Sequence, residues 1–320
     1  MRRPALYLAI FAVTALLTAA AGWLLLAAKD SLACDSSGYR HGYFMAYCDY
    51  ATAGDYEHGA LYYGLERTAI RQLQQADVVL MGNSRLMFAT STAATDDFFR
   101  RLGLRYYVLG FGYGEASEFP LKLLMRYGVH PRAVIVNADP FFQPGLSPPA
   151  ADVTSGKPEI FKKYIGKAMA QRVHKSICRL LPSACQPRAN AIFRSVRNGR
   201  WRWEGSFQTG QIFPLTADHT LPAWFDENLT ALAGVGDDFR RTLGLERRCI
   251  LLTGIPVPAI DSSAMAEKLG AAMAVPVVTA RVTDLRTIDG SHLDSDSANR
   301  WAAAFFANLE PILETCLKPH

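Results

Sequence analysis

Asp289 and His292 stand three apart in the run Ile288-Asp289-Gly290-Ser291-His292-Leu293-Asp294, just ahead of the last helical stretch of the chain. A loop there can present the imidazole outward and keep the carboxylate behind it, the arrangement a general base and the group fixing its tautomer require. Such a base serves a hydroxyl, and the chain offers one far upstream, in Asp77-Val78-Val79-Leu80-Met81-Gly82-Asn83-Ser84-Arg85. An apolar run of that length suits a central parallel strand buried on both faces. Gly82 lets the backbone turn sharply. A serine at the strand's carboxyl end sits where open α/β sheets place their ligands. Taken alone, Gly-Asn-Ser reads first as a turn; Asp-x-x-His supplies the partners that make Ser84 a nucleophile candidate. The other histidines, His41, His58, His130, His174, His219 and His320, have no comparable setting.

Positioning these residues takes alternating strands and helices. Strands are predicted at residues 78–81, 105–109, 133–137 and 249–254, with a short fifth at 276–279. Helices are predicted at 68–75, ending at Gly103, at 119–127, at 228–243 despite Gly234 and Gly236, at 265–273, and at about 295–313. The second strand runs into Gly110-Phe111-Gly112-Tyr113-Gly114-Glu115-Ala116-Ser117. Its spacing fails both the dinucleotide fingerprint and the Walker A loop. A loop bringing backbone N–H groups close to a ligand still fits. The third strand ends in Asn137-Ala138-Asp139, again polar groups at a strand's carboxyl end.

The chain has 320 residues, a formal net charge of +5 and half its residues apolar, enough for a sizeable core. No basic-aromatic motif points to nucleic acid. Arg2 and Arg3 precede an uncharged stretch over residues 4–28, longer than the ~20 residues that cross a bilayer. Residues 1–29 are therefore expected to be an uncleaved anchor, amino terminus in the cytoplasm and the rest outside; a cleaved signal peptide is the competing reading. Six cysteines suit export, and proximity suggests the pairs Cys34–Cys48, Cys178–Cys185 and Cys249–Cys316. Zinc is the alternative use of cysteines, but no paired C-x-x-C spacing is present, and no motif calls for a cofactor.

Residues 30–66, rich in Gly, Tyr, Ser and Asp, read as a linker. An insertion at about 145–225 interrupts the α/β pattern. Within it, residues 157–203 hold twelve Lys and Arg against the single acid Glu159, with apolar residues at helical spacing. This basic amphipathic helix is an ordinary packed helix with a solvated face, or a contact with an anionic membrane surface or glycan. Trp201-Arg202-Trp203 suits stacking on sugar rings or simple packing.

Gly82-Asn83-Ser84-Arg85 after a first strand, Gly114 after a second, a polar cluster after a third and Asp-x-x-His before the last helix together resemble the SGNH/GDSL hydrolase superfamily. The resemblance spans about residues 77–313. It implies an α/β, flavodoxin-like three-layer α/β/α sandwich with a parallel sheet in a catalytic domain over residues 67–320. It makes Ser84 the nucleophile, His292 the general base and acid, and Asp289 its orienter. The implied oxyanion hole is the N–H of Ser84 and of Gly114 plus a side-chain amide, for which Asn137 is the candidate, with Asp139 aligning about as well. The first block departs from the family's Gly-Asp-Ser-Leu, and the third lacks a Gly-x-Asn-Asp. The anchored, extracytoplasmic layout resembles proteins of surface-polysaccharide acylation that work beside multipass membrane acyltransferases. The expectation is a periplasmic, single-pass inner-membrane serine esterase or O-acyltransferase acting on an acylated glycan or small acyl ester. A non-catalytic glycan-binding or scaffold protein assisting a membrane acyltransferase is the alternative.

Overall fold

The computed structural model describes residues 3–28, 42–49, 54–180, 190–204, 213–214 and 220–318. In chain order the elements are α1 (Arg3–Ala28), β1 (Tyr43–Cys48), β2 (Gly54–Asp55), α2 (Glu57–Tyr62), α3 (Arg67–Gln74), β3 (Val78–Gly82), α4 (Ser84–Thr90), α5 (Ala93–Arg101), β4 (Tyr106–Gly110), α6 (Glu118–Arg126) and β5 (Ala133–Asn137). There follow α7 (Pro148–Thr154), α8 (Pro158–Leu180), β6 (Ala191–Ser195), β7 (Trp201–Glu204), β8 (Phe213–Pro214), α9 (Ala223–Leu243), β9 (Ile250–Thr253), α10 (Ser262–Met273), β10 (Arg286–Thr287) and α11 (Ser295–Leu317). The fold is mixed α/β. Helix α1 is long and apolar enough over Pro4–Gly22 to cross a membrane, and that stretch is not buried against the rest of the chain. It suits a single-pass anchor or a signal sequence.

Four parallel strands run in the order β4-β3-β5-β9. Every residue of β3, β5 and β9 is buried, as their unbroken apolar runs require of a sheet covered on both faces. From β3 the chain steps to β4 on one side, then crosses to β5 and β9 on the other. The direction of winding thus reverses between β3 and β5, at whose carboxyl ends lie Ser84 and the Asn137–Asp139 cluster. The fifth strand expected at residues 276–279 is reduced to a bridge between Leu252 and Val277. Leu252 N–H donates to Pro276 O at 3.0 Å and Val278 N–H to Leu252 O at 2.8 Å. Pro276 has no N–H with which to extend the ladder. Helix α9 runs unbroken through Gly234 and Gly236. A Cβ on Gly236 would come within 2.6 Å of Met273 Sδ, so this glycine lets α10 pack close.

The stretch read as a linker is not one beyond residue 42. Strands β1 and β2 join β6 and β7, from the insertion, in an antiparallel sheet ordered β2-β1-β6-β7. Two segments more than a hundred residues apart complete each other here, and neither carries its partner's pattern. The turn of the β6–β7 hairpin covers the β4 edge: Val108 N–H donates to Asn198 O at 2.8 Å, and Arg194 to Val108 O at 2.7 Å. An edge left bare would offer unpaired backbone groups to other chains. Arg194, wholly buried, also meets Glu57 at 2.8 Å, and Trp201 Nε1 donates to the same carboxylate at 3.1 Å. Cys249 and Cys316 form a disulfide joining the approach to β9 to the end of α11. Cys48 and Cys178 are disulfide-bonded as well; Cys34 and Cys185, their expected partners, lie outside the described residues.

Candidate active site

Ser84 is the first residue of α4, which starts directly after β3. Asn83 is its N-cap, accepting from Arg85 N–H at 3.0 Å, and its amide donates to Asp139 O at 2.7 Å. The Gly-Asn-Ser segment is therefore a capped helix start rather than a turn. The glycines at this level serve close approach. A Cβ on Gly82 would lie 3.0 Å from Leu86 Cβ and 3.1 Å from Asn137 Cβ; one on Gly110 would lie 2.8 Å from Gly82 O. Helix α4 thus sits directly on the strand ends, which brings the Ser84 hydroxyl to the sheet rim.

His292 and Asp289 come from the segment between β10 and α11. Ile288 N–H donates to His292 O at 2.9 Å and Asp294 N–H to Arg286 O at 3.0 Å, folding the segment back on itself. Asp294 then caps α11 by accepting from Ser297 N–H at 2.7 Å. Inside this loop Asp289 Oδ1 accepts the N–H groups of Ser291 and His292, each at 2.9 Å. Asp289 Oδ2 lies 2.7 Å from His292 Nδ1, and His292 Nε2 lies 2.8 Å from Ser84 Oγ. Partial burial works to raise the Asp289 carboxyl, but the His292 ring and these two N–H groups outweigh it and hold the carboxyl below its ordinary range. The imidazole stacks against Phe88 of α4, ring centres 4.6 Å apart, and Phe88 lies 4.4 Å from the Trp203 ring. Trp201 and Trp203 are buried packing residues. Stacking on sugars, one of the two expected uses, is closed to them.

The remaining predicted residues divide. Gly114 is exposed, with φ of +64°, in the loop after β4, at the same edge of the sheet as Ser84. Asn137 is wholly buried: its Oδ1 accepts from Ile255 N–H at 3.3 Å, and its Nδ2 faces Asp139 O at 3.5 Å. It braces the ends of β5 and β9 and is not a free donor at the site. Asp139 is ion-paired with Arg85, whose Nε also donates to Ser291 Oγ at 3.2 Å. Burial raises the Asp139 carboxyl and the Arg85 guanidinium works against that. Arg85 therefore ties the Ser84 helix to β5 on one side and to the His292 loop on the other. Its adjacency to Ser84 was the one sequence signal for this role.

His58 has the setting that its sequence neighbourhood did not suggest. The ring is wholly buried, with Nδ1 2.9 Å from Asp55 and Nε2 3.1 Å from Glu115. Burial alone would lower it; the two carboxylates, with Glu57 nearby, prevail and raise it to about 9. Glu115 follows Gly114 directly and also accepts from Ser147 N–H at 3.2 Å. His58 packs on Phe111 and Phe119, ring centres 4.7 and 5.1 Å away. The Gly110–Ser117 loop is thus fastened from beneath by a buried ion pair. The imidazole is paired with the Asp55 and Glu115 carboxylates.

No family model matches the chain, and no curated protein or solved structure matches it at a significant level.

Proposed function

We propose that this chain is a membrane-anchored serine ester hydrolase or O-acyltransferase of the SGNH/GDSL type. The observation carrying this reading is the line of contacts from Asp289 through His292 to the Ser84 hydroxyl, at 2.7 and 2.8 Å. In the reaction Ser84 Oγ attacks an acyl carbonyl while His292 Nε2 takes its proton. Asp289 keeps Nδ1–H donating and balances the imidazolium charge. The protonated His292 then passes its proton to the leaving alcohol, and an acyl-enzyme remains. Water, or a hydroxyl of a glycan, resolves it in a second cycle of the same proton transfers. The N–H groups of Ser84 and Gly114 are the donors for the carbonyl oxygen as it becomes negative; each such donor typically contributes ~3–4 kcal/mol to lowering the barrier.

The strand order, with a winding reversal between β3 and β5, agrees with a flavodoxin-like sheet, and open α/β sheets bind ligands at that crevice. The three-layer sandwich follows from the same reading. Arg2 and Arg3, ahead of the uncharged stretch at residues 4–28, favour an extracytoplasmic, periplasmic position for the remainder. The substrate class is an acyl ester, acetyl by analogy of layout, on a surface or periplasmic polysaccharide, with a multipass membrane acyltransferase as partner. Labelling with a fluorophosphonate tests the chemistry: wild type is expected to label and Ser84→Ala not to. An unlabelled wild type, or a labelled variant, would remove the catalytic reading.

One observation favours a second reading. The Asn137 amide is wholly buried and its Nδ2 faces Asp139 O, leaving the third oxyanion donor unfilled. A scaffold keeping the fold without turnover would look the same there, and it would give no labelling of wild type.

A further inference from the structure

Among the described residues, helix α8 packs by one face only. Tyr164, Ala168, Gln171, His174 and Cys178 are buried. Tyr164 donates to Asp55 at 3.0 Å, and the Gln171 amide bonds both N–H and C=O of Met45, at 3.3 and 2.9 Å. Those bonds satisfy β1 where its register with β6 slips between Met45 and Tyr47. The opposite face carries Met169, Val173 and Leu180, spaced by four and seven residues and 61, 52 and 80% exposed. That spacing puts them on one outward stripe. Lys162, Lys163, Arg172 and Arg179 are exposed on and beside the stripe, and Glu159 is the only acid in the helix.

An exposed apolar stripe whose charged neighbours are nearly all cations is an unusual surface for a soluble domain. It has the composition of a helix lying in a lipid interface, apolar side chains among the acyl chains and basic ones at the phosphates. Its place in the fold points the same way. Lys175 Nζ reaches Tyr43 O at 3.5 Å, and Gln171 holds Met45, so α8 lies along the first strand after α1. The chain between Ala28 and Gly42 spans no more than about 50 Å even fully extended. A membrane-held α1 therefore keeps this face near the bilayer at high effective concentration.

We propose that the outward face of α8 rests on the surface of an anionic bilayer, the one that holds α1. The catalytic domain is then attached at two places, the anchor and this helix, rather than swinging on its tether. The inference needs α1 in a membrane and does not depend on the esterase chemistry.

The test uses the full chain in nanodiscs, of phosphatidylcholine alone or mixed with phosphatidylglycerol. A benzophenone amino acid is placed at Val173, or at exposed Asp97 of α5 as a control. Irradiation is expected to give lipid adducts from position 173 and not from 97, with adducts on the anionic discs about fivefold or more above those on neutral ones. Lys162→Glu, Arg172→Glu and Arg179→Glu together should bring the anionic value down to the neutral one. Adducts to a second copy of the chain or none at all, equal adducts on both lipids, or indifference to the three reversals would overturn it. Fluorophosphonate labelling of the same samples reads the Ser84 chemistry separately.

Discussion

At the scale of single residues, the site depends on which atoms face each other across two hydrogen bonds. On the proposed mechanism Ser84 gives its proton to His292 Nε2, which is free to accept it while Nδ1–H is held by Asp289. Asp289 is fixed by two backbone N–H groups of its own loop, so the pair moves as a unit. His292→Ala is accordingly expected to lower kcat on p-nitrophenyl acetate by about 10³-fold or more, with Asp289→Asn losing a comparable amount through the wrong tautomer. Asp289→Asn should leave the melting temperature of the domain nearly unchanged, because the carboxylate is exposed, and His292→Ala should lower it only modestly, since the half-buried ring loses its contact with Phe88. Retained turnover in His292→Ala would mean that another group is the base. Arg85 belongs to the same scale. It converts Asp139, which as a bare carboxylate would repel an oxyanion, into half of an ion pair spanning two elements.

Elements hold these residues through a second, buried set of charges. His58 joins Asp55, at the end of β2, to Glu115 in the loop carrying Gly114. Its proton is bound more tightly in the folded chain than in the unfolded one, because the raised value of about 9 lies above the ordinary one of 6.5. The stabilisation is then complete below about pH 6.5, declines as pH rises, and is lost above about 9. The full amount is roughly 3 kcal/mol. Urea midpoints measured from pH 6 to 10 should fall over this window in the wild type and much less in His58→Gln. A flat wild-type profile would show that the ring is not charged in the folded state. The same ionisation supports the candidate oxyanion loop, so kcat should decline at the alkaline end together with stability.

Over the whole molecule, two sheets divide the tasks: the parallel one presents the site, and the antiparallel one closes the β4 edge and carries α8. The Cys249–Cys316 bridge encloses the β9–α10–β10–α11 region, including the His292 loop, across a separation of 67 residues. Cys249→Ser with Cys316→Ser is expected to cost about 2–4 kcal/mol in chemical denaturation, on the loop-closure account; a change near zero would mean that the unfolded chain is constrained by other means. Much of this molecule was legible as sequence. Unbroken apolar runs marked β3, β5 and β9, Asp-x-x-His marked the carboxylate–imidazole pair that meets Ser84, and residues 4–28 marked a helix long and apolar enough to cross a membrane. These are local signals, set by side-chain periodicity and by spacing within a few residues. Tertiary structure alone decided the rest. Strand β1 pairs with β6 across more than a hundred residues, Asn137 turns inward to Ile255, and Arg85 finds Asp139 and Ser291. His58 lies between two carboxylates from different elements, and α8 buries one face beside the entry of the tether. None of these pairings has a local pattern, because each depends on which surfaces meet once the sheet has closed over its core.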